Sequence, residues 1–358
     1  MSLASRCVLG VALFTAGATI GCSSASEARS TLDASRSTPD ASRSTPEGPD
    51  GSSGCSGGAA SAGSLVALAP SIESSTLLLA GGRLYWTLSS SVASVAIDGG
   101  QVTLFPAASG YNPYAIGGLD LFSIAGDQAT GYAVSSAPLA GGPGNTLATG
   151  PIGAASVLAV TADATDVYWS EEDSVLGMPS GGGARVTFAS GHGAAVVELA
   201  IDAMDVYWLD AGARGVDSTL LAVPRKGGTV TTLATHVETP TNVVSDGTDV
   251  FWGDSYSGTI VSVPRAGGVS TTLYTDMTAQ AYISPTGTSD VELGGIAVDD
   301  ASVYWTSAVC LRSVMKVAKK GGAALTLATG QRGPQAITVD STSAYWTTNG
   351  PLEKLTPK

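Results

Sequence analysis

The stretch A-I-T-V-D-S-T-S-A-Y-W, from Ala336 to Trp346, decides the fold because the chain repeats it. An aromatic residue followed by Trp, with Asp six positions before the Trp, stands at Asp163/Tyr168-Trp169, Asp202/Tyr207-Trp208, Asp246/Phe251-Trp252, Asp299/Tyr304-Trp305 and Asp340/Tyr345-Trp346. Tyr85-Trp86 is a copy without the Asp. Every Trp of the chain, 86, 169, 208, 252, 305 and 346, occupies this one slot. A unit recurring at such spacing is one supersecondary element used many times.

Around the Asp246 copy the unit reads as four short strands. An apolar segment at Asn242-Val243-Val244 leads to a turn at Asp246-Gly247-Thr248-Asp249 and then to Val250-Phe251-Trp252. Thr259-Ile260-Val261-Ser262-Val263-Pro264 follows, then a glycine pair and Ser270-Thr271-Thr272-Leu273-Tyr274. Short β-rich runs divided by turn residues are the pattern of an all-β repeat. The pair recurs at Gly99-Gly100, Gly141-Gly142, Gly182-Gly183, Gly227-Gly228, Gly267-Gly268 and Gly321-Gly322, where a two-residue turn of positive φ is expected. A weaker unit places Leu121-Phe122 where the aromatic-Trp pair is expected, which brings the count to seven. The seventh unit stops after Leu352-Glu353-Lys354-Leu355 without a fourth strand, and Ser64-Leu65-Val66-Ala67-Leu68-Ala69 resembles the missing piece. The expectation is a single β-propeller over 64–358, of seven four-stranded blades with six as the alternative, closed by the N-terminal strand completing the last blade.

Adjacent strand residues point to opposite faces, so a Tyr-Trp pair puts an aromatic on each side of its sheet. Only a sheet covered on both faces favours that, as a propeller blade is. The six Trp are therefore expected to be structural blade residues. The repeated Asp has a plain reading too, since Asp at a turn accepts backbone N–H bonds from the residues just ahead.

Seventeen basic against 30 acidic residues give a formal charge of -13, which disfavours nucleic acid and anionic membrane surfaces as partners. Cysteines at 7, 22, 55 and 310 have no C-x-x-C spacing, and two His complete the set, so a zinc site is not expected. Cys55 and Cys310 are left open as a disulfide. His192 and His236, assigned to loops of adjacent blades, have no nucleophile motif beside them.

Residues 1–21 read as a signal peptide, with Arg6 ahead of an apolar run from Cys7 to Ile20. Thr19-Ile20-Gly21-Cys22 resembles the lipobox of bacterial lipoproteins, which implies cleavage before Cys22 and lipid attachment to its thiol; Thr19 departs from the usual Leu. Cleavage after Ser23-Ser24-Ala25 and simple secretion is the alternative. Residues 22–63, rich in Ser, Pro and Gly, form a low-complexity tether. An exported outer-membrane lipoprotein, held by its lipid alone and monomeric, is the expectation.

The pairs Tyr304-Trp305-Thr306, Tyr345-Trp346-Thr347, Tyr85-Trp86-Thr87 and Tyr168-Trp169-Ser170-Glu171, with Gly295-Ile296-Ala297-Val298-Asp299 ahead of one of them, resemble the YWTD β-propeller class of lipoprotein-receptor ectodomains and related bacterial envelope propellers. The final Asp of that motif survives as Asp210 and Asp254, and the receptor class has six blades. The resemblance implies that loops after the second and fourth strands share one face around the channel mouth. Those loops are the irregular parts of this chain, and Glu171, Asp210 and Asp254 stand among their acids. Four residues before the repeat's Asp position stand Asn112, Glu198 and Asn242, with Gln335 one place earlier, and these are expected to ring the mouth. No catalytic motif emerges. The expected function is an envelope-tethered binding module for a protein, peptide or glycan. The alternative is a hydrolase resembling lactonase-like propellers, with Ca²⁺ held by oxygen ligands at the mouth.

Overall fold

A computed structural model describes residues 63–358, except 73, 89–90, 107–113, 128–130, 152–158, 192–194, 211–217, 239, 256, 277–292 and 309–311. The signal peptide, Cys22, the tether, Asn112, Cys55, Cys310 and His192 lie outside the described residues.

Strand β1 (Ser64–Ile72) comes first in the chain but belongs to the last sheet. Blade 1 is β2 (Leu78–Ala80), β3 (Arg83–Leu88), β4 (Ser91–Ala96) and β5 (Thr103–Pro106). Blade 2 is β6 (Tyr114–Gly117), β7 (Asp120–Asp127), β8 (Gly131–Pro138) and β9 (Asn145–Thr149). Blade 3 is β10 (Val160–Ala162), β11 (Asp166–Glu171), β12 (Ser174–Pro179) and β13 (Val186–Ala189). Blade 4 is β14 (Val196–Ile201), β15 (Asp205–Asp210), β16 (Ser218–Pro224) and β17 (Thr231–Val237). Blade 5 is β18 (Pro240–Ser245), β19 (Asp249–Asp254), β20 (Thr259–Pro264) and β21 (Thr271–Thr275). Blade 6 is β22 (Leu293–Val298), β23 (Ser302–Ser307), β24 (Ser313–Ala318) and β25 (Leu325–Ala328). Blade 7 is β26 (Ile337–Val339), β27 (Ala344–Trp346) and β28 (Gly350–Thr356), with β1 as its outer strand.

All pairings are antiparallel, and β1 pairs with β28 from Ser64↔Thr356 to Ile72↔Gly350. The first strands β2, β6, β10, β14, β18, β22 and β26 contact one another in succession, and β26 contacts β2. The fold is a seven-bladed, all-β propeller with a closed ring, as expected from the repeats.

The core sits between blades. Tyr168 and Trp208 share one cluster, Tyr207 and Trp252 the next, and Phe251 with Trp305, Tyr304 with Trp346 and Tyr345 with Trp86 continue the series. Each Tyr or Phe therefore faces the following blade and each Trp the preceding one. All six Trp are buried, the most accessible, Trp252, at 4%.

Blade 2 departs from the sequence reading by one residue. In blades 1 and 3 to 6 the aromatic before Trp is the third residue of the second strand, and in blades 3, 4 and 5 it stands opposite Thr161, Ala200 and Val244 of the first. Phe122 is likewise third in β7 and pairs with Ala115. It holds the Tyr slot rather than the Trp slot, which is Ser123, and it packs with Trp169 of blade 3. The turn Asp position of this blade is accordingly Gly117, where a Cβ would meet the backbone oxygen of Asp163 at 2.1 Å. Close approach of the neighbouring turn excludes Asp there.

The glycine pairs also differ from expectation. The N–H of the first glycine bonds the carbonyl three residues back, as in Gly227 to Pro224 at 2.8 Å and Gly267 to Pro264 at 2.8 Å. The turn is thus centred on the two residues before the pair, such as Arg225-Lys226. The glycines follow it at φ of 80° and 149° for Gly227 and Gly228, accepting the left-handed step that ends such a turn.

Candidate functional site

Two faces of the ring are built differently. One carries the turns between first and second strands and between third and fourth strands, and it is tightly locked. The repeated Asp accepts two backbone N–H bonds through Oδ1: Asp246 from Thr248 and Asp249 at 2.8 Å each, Asp299 from Ala301 and Ser302 at 2.8 Å each, Asp340 from Thr342 and Ser343 at 2.7 Å each. Its Oδ2 takes the hydroxyl of the blade's own Tyr in three blades: Tyr207 to Asp202 at 2.5 Å, Tyr304 to Asp299 at 2.8 Å and Tyr345 to Asp340 at 2.8 Å. These acids are turn-shaping groups, as the sequence reading held.

A second lock on this face was not read from the sequence. The residue just after each third strand, or the second after it in blade 7, donates its N–H to the turn of its own blade: Ile97 to Gly82, Leu139 to Leu119, Ser180 to Thr165, Arg225 to Met204, Arg265 to Thr248, Lys319 to Ala301 and Lys358 to Thr342. Where that residue is basic, its side chain crosses to the preceding blade. Arg225 binds Asp163 and, at 2.7 Å, Asp166; Arg265 binds Asp205 at 2.6 Å; Lys319 binds Asp246 at 2.5 Å; Lys358 binds Asp299 at 2.8 Å. The signal was present as Pro224-Arg225, Pro264-Arg265, Ala318-Lys319 and Pro357-Lys358. Burial raises the carboxyls of Asp163 and Asp299. The Arg225 and Lys358 cations with the backbone N–H donors outweigh it, and both acids end well below the usual range.

The opposite face carries the ends of the second and fourth strands, and here the sequence-predicted residues do not form one site. Glu171 accepts the Tyr132 hydroxyl at 2.5 Å and lies 3.7 Å from Arg185, while Trp169 Nε1–H donates to the same Tyr132 oxygen at 3.0 Å. Burial first, then the bond to Glu171, pushes the Tyr132 phenol up to about 12. Glu171 is tied into the seam between blades 2 and 3. Asp254 is buried at 8% exposure and takes backbone N–H bonds from Glu238 at 3.2 Å and Ser257 at 3.0 Å. Asp210 is buried at 7% at the matching end of β15. Gln335 bonds Asn349 at 3.1 Å, and its main chain bridges Gly295 and Thr347.

Glu198 and Asn242 are brought together, the Asn242 amide donating to Glu198 Oε1 at 3.5 Å across β14 and β18. Glu198 keeps some accessible surface while protein surrounds it, as befits a side chain in the narrow channel. Burial pushes its carboxyl up to about 7, against the opposing bond from Asn242. Four residues before the turn position in the other described blades stand Thr76, Ala159, Gly295 and Ala336, Gly295 within its first strand and the others ahead of theirs. With Phe122 in the Tyr slot, Asn112 is displaced by one from this step. Ca²⁺ takes six to eight oxygens; at this step the described side chains Glu198, Asn242 and Thr76 offer one carboxylate, one amide and one hydroxyl. Among the described residues no three His, Cys, Asp or Glu side chains gather as a metal site. His236 lies inside β17 rather than in a loop, exposed at a bulge with φ of 57°.

No family model and no curated protein matches the chain. Among solved structures it is similar to the crystal structure of BamB from Moraxella catarrhalis, at 14% identity over 77% of this chain and 82% of that one, with a TM-score of 0.52. It is also similar to a chain of a nidogen/laminin complex, at 19% identity over 54% of this chain and 75% of that one, with a TM-score of 0.45. At 14% identity the likeness to BamB is one of fold.

Proposed function

We propose that this chain is a non-enzymatic, envelope-tethered binding module that takes a protein, peptide or glycan on the propeller face formed by the second-strand and fourth-strand ends. The observation that carries this reading is the asymmetry of the two faces. One face is closed by uniform, hydrogen-bonded turns, whereas the connections on the other vary from Glu172-Asp173 to the whole stretch between Thr275 and Leu293. Variable connections on a rigid scaffold are where recognition is built. The engaged states of Glu171 and Asp254 argue against these acids as a shared catalytic pair. The resemblance of Thr19-Ile20-Gly21-Cys22 to a lipobox supports an outer-membrane lipoprotein. Incorporation of labelled palmitate that is lost in Cys22→Ala supports the anchor; unchanged labelling in that variant removes it.

Photo-crosslinking amino acids test the binding face in cells, placed at Glu172 and Asn349 on the irregular face and at the exposed Met204 and Val269 on the turn face. Adducts confined to the first two positions are the expected result. Adducts confined to the turn face overturn the reading.

A further inference from the structure

Of the seven seams between blades, four carry a cation that crosses from one blade to an acid of the preceding one. The seam between blades 2 and 3 has the acid without the cation. Asp120 opens β7 as Asp166 opens β11 and Asp205 opens β15, but the residue that should reach it is Ser180. The Ser180 backbone keeps the repeat's bond, N–H to Thr165 O at 2.8 Å, while its hydroxyl turns to Ala164 O at 3.0 Å. Among the described residues no cation faces Asp120. A cleft of about 340 Å³ opens there, walled by Asp120, Ser136 and Asn145 on blade 2 and by Ser180, Gly181 and Gly182 on blade 3.

We propose that this cleft is a binding slot for a guanidinium group, presented as an arginine side chain by a partner polypeptide. The chain supplies its own template for the complex. Acids at the first position of a second strand, Asp166 and Asp205, are met by Arg225 and Arg265, with Arg225 binding the turn acid Asp163 as well. Acids at the turn position, Asp246 and Asp299, are met by Lys319 and Lys358. Blade 2 has glycine at the turn position and its acid at the strand position, so it belongs to the arginine class. The cleft suits that chemistry, because a guanidinium presents five donors in one plane. Asp120, Ser136 and Asn145, each with a side-chain oxygen able to accept, line the blade 2 side of the cleft opposite Ser180. Gly181 and Gly182 carry no side chain to close the entrance. This slot lies on the turn face, apart from the face assigned to the main ligand, and does not depend on that assignment.

The test is a titration of the ¹⁵N-labelled full chain with N-acetyl-arginine amide, N-acetyl-lysine amide and the uncharged citrulline analogue, read at the Gly181 and Gly182 amides. Saturable shifts with the arginine probe are expected, with lysine about tenfold weaker and citrulline silent. Asp120→Asn should remove the response. Ser180→Arg, which supplies the guanidinium from within, should also remove it and raise the melting temperature by about 2–4 °C. If Asp120→Asn fails to fold, Ser180→Arg decides alone. No response to the arginine probe, an equal response to citrulline, or a wild-type response in Ser180→Arg overturns the proposal.

Discussion

At Trp252, clustered with Tyr207 of the preceding blade, an alanine would leave a void between two sheets whose backbones are each fixed by ladder bonds. Such a void cannot collapse, and Trp252→Ala is expected to destabilise the propeller by about 3–5 kcal/mol, measured by chemical denaturation. Glu198 gives a second expectation, with the sign set by its raised carboxyl. A group whose folded pKa, about 7, exceeds its unfolded value contributes stability that is present at low pH and lost as pH rises toward and through 7. Glu198→Gln should therefore be more stable than the parent at pH 8.5, by about 1–3 kcal/mol after allowance for partial solvent access. The two should match at pH 4. Denaturation curves that differ equally at both pH values would show that the carboxyl does not titrate in the channel.

At the scale of the element, the repeated turn fixes the acid response of the whole ring. Asp163, Asp202, Asp246, Asp299 and Asp340 all sit below their ordinary value, burial being outweighed by backbone donors with Tyr hydroxyls or cations. Depressed acids contribute stability above their unfolded pKa and lose it as pH falls through the folded one. Stability is therefore expected to hold down to about pH 5 and to fall steeply below pH 4, as a series of melts in acid would record. Replacing Asp340 with Asn should soften that fall. This turn was readable in the sequence because an Asp three residues before a strand has one local way to satisfy its neighbours. Phe122 was misplaced for the opposite reason: without Trp or turn Asp as markers, only the register to Ala115 tells which slot it fills. Glu171 and Arg225 were unreadable because their partners, Tyr132 and Asp163, come from other blades. Sequence carries the period of a repeat more plainly than its contacts across seams. Glu171 and Asp254 were chosen as acids of irregular loops, and their commitments to a seam and to backbone donors became visible only once the blades were side by side.

For the molecule as a whole, β1 turns seven sheets into a ring. Without it, β28 would present an unpaired edge with Leu352 and Leu355 at its inner side, both buried at 2% exposure or less. Deleting Ser64–Ile72 is expected to yield self-associating chains by light scattering, since an open sheet edge pairs with whatever strand it meets. A truncated chain that stays monomeric with unchanged melting would show that the strand is ornamental. Blades 3 to 7 are joined by cations and blades 1 to 3 are not. Blade 2, with Ser123 in the slot that holds Trp in the other six, is tied to blade 3 instead through the Tyr132 hydroxyl, which meets Glu171 and Trp169.

The pairing Ser64↔Thr356 also sets an order of events in time. A ribosome releases β1 first and β28 last, so the earliest strand made waits for the latest before either is paired. Contacts of such long range are slow to form, and Leu65 and Val66 stay uncovered by their partner strand through that interval. The ring thus carries its own completeness check: any chain cut short before Gly350 leaves β1 without a home.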